Sequence, residues 1–296
     1  MSARLSFFAF IYLLINFSDA LAQTYPLGLT PSSLKWRQIN NEEMQVVYPI
    51  GVEDQAQKVA NLIHYLKNNN LTSIGEKTEK VTFILQNQTI TPNGFVALSP
   101  FRSELFLTPP QFNFLGAGDW LDILTIHEYR HVLQTTNAKK GLTGFASFLL
   151  GENTLAAMRR IALPRWYLEG DAVGVETALT QSGRGRLPHF DMEYKAMRLE
   201  GMKHNYEKAS AFSLKDYVPD HYNLGYYMTT WARDNYGEDI WQKSLGEAVR
   251  YNAPYPLSTA LKKFTDHRTP SMYRATMASL DSTWEVQDAE IKPNEY

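Results

Sequence analysis

The chain has 296 residues, 44% hydrophobic, 20% charged and 13% aromatic, which supports a packed core and excludes disorder as the main state. Twenty-nine Lys and Arg against thirty-one Asp and Glu leave a formal net charge of -2, so no basic excess exists to hold a nucleic-acid backbone. Zero cysteines exclude disulfides, thiolate metal sites and cysteine nucleophiles together, and any metal site must use His, Asp or Glu.

The chain opens with Arg4, the apolar run Phe7 to Phe17 and then Ala20-Leu21-Ala22. That is the order of a secretory signal peptide over residues 1–22, with cleavage expected after Ala22. The run is too short to span a bilayer comfortably, and no later stretch reaches about eighteen consecutive apolar residues. The mature chain is therefore expected to be secreted or periplasmic, without a transmembrane segment. Residues 23–115 read as a small α/β subdomain. Trp36 to Tyr48 predicts a hairpin turning at Asn40-Asn41, and Asp54 to Lys67 has helical periodicity. Lys80 to Leu85, Phe95 to Leu98 and Glu104 to Leu107 alternate like strands before Pro109-Pro110 breaks the pattern. Residues 116–296 read as a mostly helical subdomain, with helices predicted at 119–136, 144–158, 164–181, 190–203, 222–235, 238–250, 256–265 and 270–286. The fold class is α+β.

One constellation carries chemistry. His127-Glu128-Tyr129-Arg130-His131 is H-E-x-x-H inside the predicted helix 119–136, which follows Gly116-Ala117-Gly118 with Asp119 as its N-cap. Residues four apart share a helix face, so both imidazoles can reach one ion. Glu128 is turned about 100° from His127 and projects beside that ion, within reach of a water. Catalytic zinc needs a third protein ligand and an open position. Trp166-Tyr167-Leu168-Glu169-Gly170-Asp171-Ala172 opens the helix predicted from Pro164 and offers Glu169. Glu176, two turns further on the same face, is a candidate to hold a histidine N–H.

H-E-x-x-H followed by W-x-x-E-G-x-A resembles the gluzincin zinc metallopeptidases, the superfamily of thermolysin and the aminopeptidases. Tyr222-Asn223-Leu224-Gly225 resembles their tyrosine motif Y-x-x-G, and the likeness runs over roughly residues 80 to 250. It implies a zincin-like fold with the active-site helix at the junction of the two subdomains. It further implies one Zn²⁺ held by His127, His131 and Glu169, with Glu128 as general base and Tyr222 as oxyanion donor. Glu176 falls where the aminopeptidase branch repeats an acidic residue. A weaker likeness is to secreted bacterial proteins in which such a domain precedes a β-propeller.

Two departures stand out. Arg130 occupies a position that the family usually fills with an uncharged residue, so its charge points either to solvent or to a drifted site. The aminopeptidase signature G-x-M-E-N is absent, and Gly94-Phe95-Val96-Ala97 takes its place without the acidic residue. Aminopeptidase activity is not implied, and endo or exo preference stays open. The principal reading is an exported zinc peptidase acting on a peptide or protein. Its competitor is a non-catalytic gluzincin-like binding module on the exported or cell-surface side. Arg130 and the missing signature favour the module, whereas the intact Glu128 favours the enzyme.

Other residues have plainer expectations. Tyr217, Tyr226 and Tyr227 lie near Tyr222 in sequence and compete for its role, as does His221, otherwise a surface histidine. Arg184 and Arg186 are expected on a flexible loop, with an anionic substrate group as the sharper alternative. Gly144 to Leu150 is expected to be a packed helix between the ligand segments, with peripheral association at a membrane surface as the alternative.

Overall fold

The computed structural model describes residues 30–69, 72–111, 116–251 and 254–290. The expected signal peptide, residues 1–22, lies outside them. β1 (Trp36–Asn40) and β2 (Met44–Pro49) form the predicted hairpin. Asn41 closes its turn, Oδ1 accepting from the Glu43 and Met44 N–H groups. The apolar stripe of α1 (Glu53–Asn68), including Ala56, Val59, Ile63 and Leu66, is buried. This helix is the crossover that lets β3 (Val81–Gln86) pair in parallel with β2, Phe83 opposite Val46. β5 (Phe101–Phe106) pairs in parallel with β3, and β4 (Gly94–Leu98) pairs antiparallel with β5. The sheet is mixed, in the order β1-β2-β3-β5-β4, which leaves β4 as an edge strand.

α2 (Trp120–Ala138) carries H-E-x-x-H and starts where Asp119 caps it, accepting from the N–H groups of Leu121 and Asp122. From Ile123 to Ala138 every side chain is buried, as befits a helix enclosed on all sides. The remaining helices are α3 (Gly141–Leu150), α4 (Glu152–Ala162), α5 (Arg165–Leu179), α6 (Pro188–Leu199), α7 (Tyr206–Ala211), α8 (His221–Tyr236), α9 (Ile240–Tyr251), α10 (Pro256–Thr265) and α11 (Thr269–Glu290). Among the described residues this makes a mixed five-stranded sheet with eleven helices, an α+β fold.

Three expectations are corrected here. The helix predicted over 144–158 is two helices, broken at Gly151, whose φ of 84° ends α3 in a region that favours glycine. Its first half is not a packed element, since Thr143 is the one buried residue of α3 and Phe145, Phe148, Leu149 and Leu150 are exposed. α7 was not expected; six residues capped by Asn205 are too few to show a period. No described helix is long and apolar enough to cross a membrane.

Candidate metal centre

α2 and α5 bring His127, His131 and Glu169 together. The two Nε2 atoms are 3.2 Å apart, and Glu169 Oε2 lies 3.4 Å from His127 Nε2 and 3.3 Å from His131 Nε2. The side chains are 8%, 11% and 16% exposed, in that order, so the triangle is sheltered yet reachable. An ion bonded tetrahedrally at about 2.0–2.1 Å spaces its donors about 3.3 Å apart, the edge of that tetrahedron. The triangle therefore fits zinc without rearrangement.

The far side of each imidazole decides which nitrogen is free. Gln134 donates its amide to Leu168 O and Asp171 Oδ2, which turns its Oε1 toward His131 Nδ1 at 2.8 Å. An oxygen acceptor there puts the proton on Nδ1 and leaves the lone pair of Nε2 facing the triangle. His127 Nδ1 faces an acceptor, Glu176 Oε2 at 2.8 Å, and also a donor, Arg184 Nη2 at 2.9 Å. Two imidazole nitrogens and a carboxylate oxygen thus converge on one point, where a cation would take the place of the proton that His127 otherwise carries. Without an ion, burial pushes the His127 pKa down, but Glu169 and Glu176 outweigh it and hold it up at about 9. Burial opposes ionisation of Glu169 too, yet the two histidines keep its carboxyl well below the usual range.

Glu128 is buried beside the triangle, and its Oε2 has no hydrogen-bond partner. Burial raises its pKa against the pull of the histidines. Gly94 of β4 makes room for it: a Cβ there would fall 3.1 Å from Glu128 Oε1 and 2.6 Å from a Leu124 methyl.

Tyr222, in the first turn of α8, is half-buried with its ring centroid 6.3 Å from that of His127. The competing tyrosines are engaged elsewhere: Tyr227 donates to Asp191, Tyr226 packs on Phe190, and Tyr217 is exposed. His221 is not a surface residue. It is buried between Phe212 and Tyr222. α5 and α8 meet at glycines: a Cβ on Gly170 would sit 2.0 Å from the Gly225 carbonyl carbon, and one on Gly225 would sit 1.9 Å from Trp166 O. The glycines of W-x-x-E-G and Y-x-x-G are thus the contact that sets the spacing of the two helices that carry Glu169 and Tyr222.

Arg184 corrects the expectation of a flexible loop. It lies in a 3-10 turn (Arg184–Arg186) held to α5, with Arg186 Nε donating to the carbonyls of Thr177 and Thr180. Arg184 Nε and Nη2 donate to the two oxygens of Glu176 at 2.6 and 2.8 Å. Nη2 lies 2.9 Å from His127 Nδ1, and the guanidinium sits 4.8 Å over the Tyr222 ring. Burial works against the charge on Glu176, but Arg184 and His127 hold its pKa at about 2. Arg130 does not reach solvent either: it is wholly buried against Asp171. Sequence reasoning missed Gln134, Asp171 and Arg184. Only Gln134, three residues after His131 on one helix face, had a spacing that could have revealed it.

No protein-family model matches this chain, and no curated protein does.

Proposed function

We propose that the protein is an exported zinc-dependent peptidase of gluzincin type, with a zincin-like arrangement of sheet edge and active-site helix. The observation that carries this reading is the 3.2–3.4 Å triangle of two imidazole nitrogens and a carboxylate oxygen, with the unpartnered Glu128 oxygen beside it. His127, His131 and Glu169 would hold the ion. When bound, zinc supplies a Lewis acid and brings the pKa of a water toward neutrality. Glu128 would take a proton from a water as its oxygen attacks the peptide carbonyl carbon, and would pass that proton to the amine nitrogen as the C–N bond breaks. Its buried setting, which raises the carboxyl pKa, makes it a stronger base than an exposed glutamate. Tyr222 donates to the carbonyl oxygen as negative charge grows there, a contribution of ~3 kcal/mol for a well-placed donor. Glu176 and Gln134 keep the imidazoles in the ligating tautomer and orientation. β4, the last strand of the sheet, offers a backbone edge along which an extended peptide can pair next to Glu128.

A non-catalytic binding module has no use for a buried carboxylate with an unpartnered oxygen, which favours the enzyme. The test is cleavage of a mixed peptide library, read by mass spectrometry, for the zinc-loaded protein and for Glu128→Gln. The variant is expected to keep its zinc and lose about 10²–10⁴-fold in turnover. Equal cleavage by both proteins would remove Glu128 from the mechanism, and no cleavage by either would favour the module.

A further inference from the structure

The helical hairpin α3–α4 turns on the single residue Gly151 and displays large apolar side chains along its length, three of them next to that turn. Phe148 is 86% exposed and Leu150 72%, with Leu142, Phe145, Leu149 and Ile161 also exposed. A patch of this kind on a folded domain marks a contact surface. The hairpin is not a loosely held segment. Thr143 Oγ1 donates to Val249 O at 2.8 Å, Arg159 donates to Thr135 of α2, and Leu155 and Ala162 are buried. Its base is fastened to the body while its tip remains uncovered.

Charge says what covers the tip. α3 itself has no charged residue. Between Lys139 and Arg165 the chain carries five basic residues (Lys139, Lys140, Arg159, Arg160, Arg165) and one acidic residue, Glu152, leaving twenty-four basic against thirty acidic elsewhere. Lys139 pairs with Glu79 and Arg159 is held by Thr135. The outward cations are therefore Lys140, Arg160 and Arg165 at the base of the hairpin, a helix length behind the apolar tip, where Glu152 is exposed. Arg160 and Arg165 are exposed and Lys140 is half-buried. A second copy meeting this face symmetrically would set basic rim against basic rim, which is repulsive. An anionic lipid surface complements both parts: the acyl boundary accepts Phe and Leu, and the headgroups meet the Lys and Arg. No described helix can span the bilayer, so the contact is interfacial.

We propose that Phe148, Leu149 and Leu150, at the tip of the α3–α4 hairpin, seat in the interface of a bilayer that carries anionic lipid. The chain has no cysteine, so Leu149→Cys provides a unique site for an environment-sensitive fluorophore on the full chain. Glu285→Cys, exposed on α11, provides the control. Vesicles of phosphatidylcholine with phosphatidylglycerol are expected to shift the emission at 149 to shorter wavelength and leave that at 285 unchanged. The dye reports only its own surroundings, so vesicle binding through any other segment does not mimic this result. Adding Phe148→Ser and Leu150→Ser to the labelled protein is expected to weaken the response ~10-fold or more, and these exposed sites leave the circular dichroism unchanged.

An unmoved emission at 149 would overturn the proposal. An equal response to phosphatidylcholine alone would overturn its anionic part. A shift on raising protein concentration without vesicles would assign the patch to a second copy and overturn it as well. None of these readouts uses metal or turnover, so their failure leaves the peptidase reading standing, and failure of that reading leaves them interpretable.

Discussion

Asp171 receives Arg130 in a two-point ion pair, Nε to Oδ2 at 2.7 Å and Nη2 to Oδ1 at 2.9 Å, with both side chains wholly buried. Asp171 lies two residues beyond Glu169 on α5, and Arg130 directly precedes His131 on α2. The pair therefore joins the two ligand-bearing helices behind the candidate metal centre. Arg233 of α8 closes on the same carboxylate, and Gln134 links it to His131. The charge that departs from the gluzincin pattern is part of the frame of the site and is neutralised within it.

Removing the carboxylate alone should be severe. Asp171→Asn leaves two buried guanidinium groups short of their counter-charge, and a loss of about 3–5 kcal/mol in unfolding free energy is expected. Replacing all three groups together, Arg130→Met and Arg233→Met with Asp171→Leu, should cost less than the single change, because no charge is then stranded. Denaturant unfolding of the three proteins checks both statements. A single-variant loss below about 1 kcal/mol would mean that the pair contributes little to holding α2 on α5.

Acid should act through the same carboxylates. Burial opposes ionisation of Asp171, but Arg130 and Arg233 hold its pKa at about 2, and that of Glu176 is also about 2. Groups whose folded pKa is depressed stabilise the fold fully above their unfolded values, and that contribution is lost as pH falls through the folded values. The denaturant midpoint should therefore fall between about pH 4.5 and pH 2. Asp171→Asn should flatten that fall. In metal-free protein the sign is opposite for His127, raised to about 9: its contribution is complete below the ordinary 6.5 and is lost as pH rises through 9.

Metal content separates ligands from their supports. His131→Ala and Glu169→Ala should leave the purified protein without stoichiometric zinc, measured by atomic emission. Gln134→Ala and Glu176→Ala keep all three ligands and should weaken zinc binding by about 10–100-fold in a chelator competition. Full zinc in Glu169→Ala would exclude it as a ligand.

Tyr222→Phe removes one hydroxyl and leaves the ring that Arg184 covers. The expected result is a fall of about 10²–10³ in kcat with KM and zinc content near their original values. Steady-state kinetics on any peptide the protein cleaves would show it, and an unchanged kcat would send the oxyanion role elsewhere.

Residues whose partners lie on the same helix, or on a helix with an obvious period, were legible in the sequence. Asp119, His127 and His131 follow from helix geometry, and the position of Glu169 follows from a second helix opening at Pro164. Arg184 was not legible. Ser182-Gly183-Arg184-Gly185-Arg186 has the composition of an exposed loop, and its burial depends on Glu176 eight residues back and Tyr222 on another helix. Asp171 stood inside a quoted motif, yet its two arginines come from positions 130 and 233, a pairing that only the packed helices bring about. The apolar stretch of α3 misled for a related reason: hydrophobicity reports an aversion to water, not which surface satisfies it.

The meeting of Gly170 with Gly225 makes the spacing of α5 and α8 a property of two main chains. No rotamer on either helix can relax it, and no ligand has to be present to hold it. A single methyl group at Gly170 meets the opposing backbone at 2.0 Å and must drive α8 outward. The outcome would be a folded protein with His127, His131, Glu169, Glu128 and Tyr222 all present, and Tyr222 moved away from the others. Any change of behaviour in such a variant would trace to spacing alone, in a chain that keeps every side chain of the candidate site.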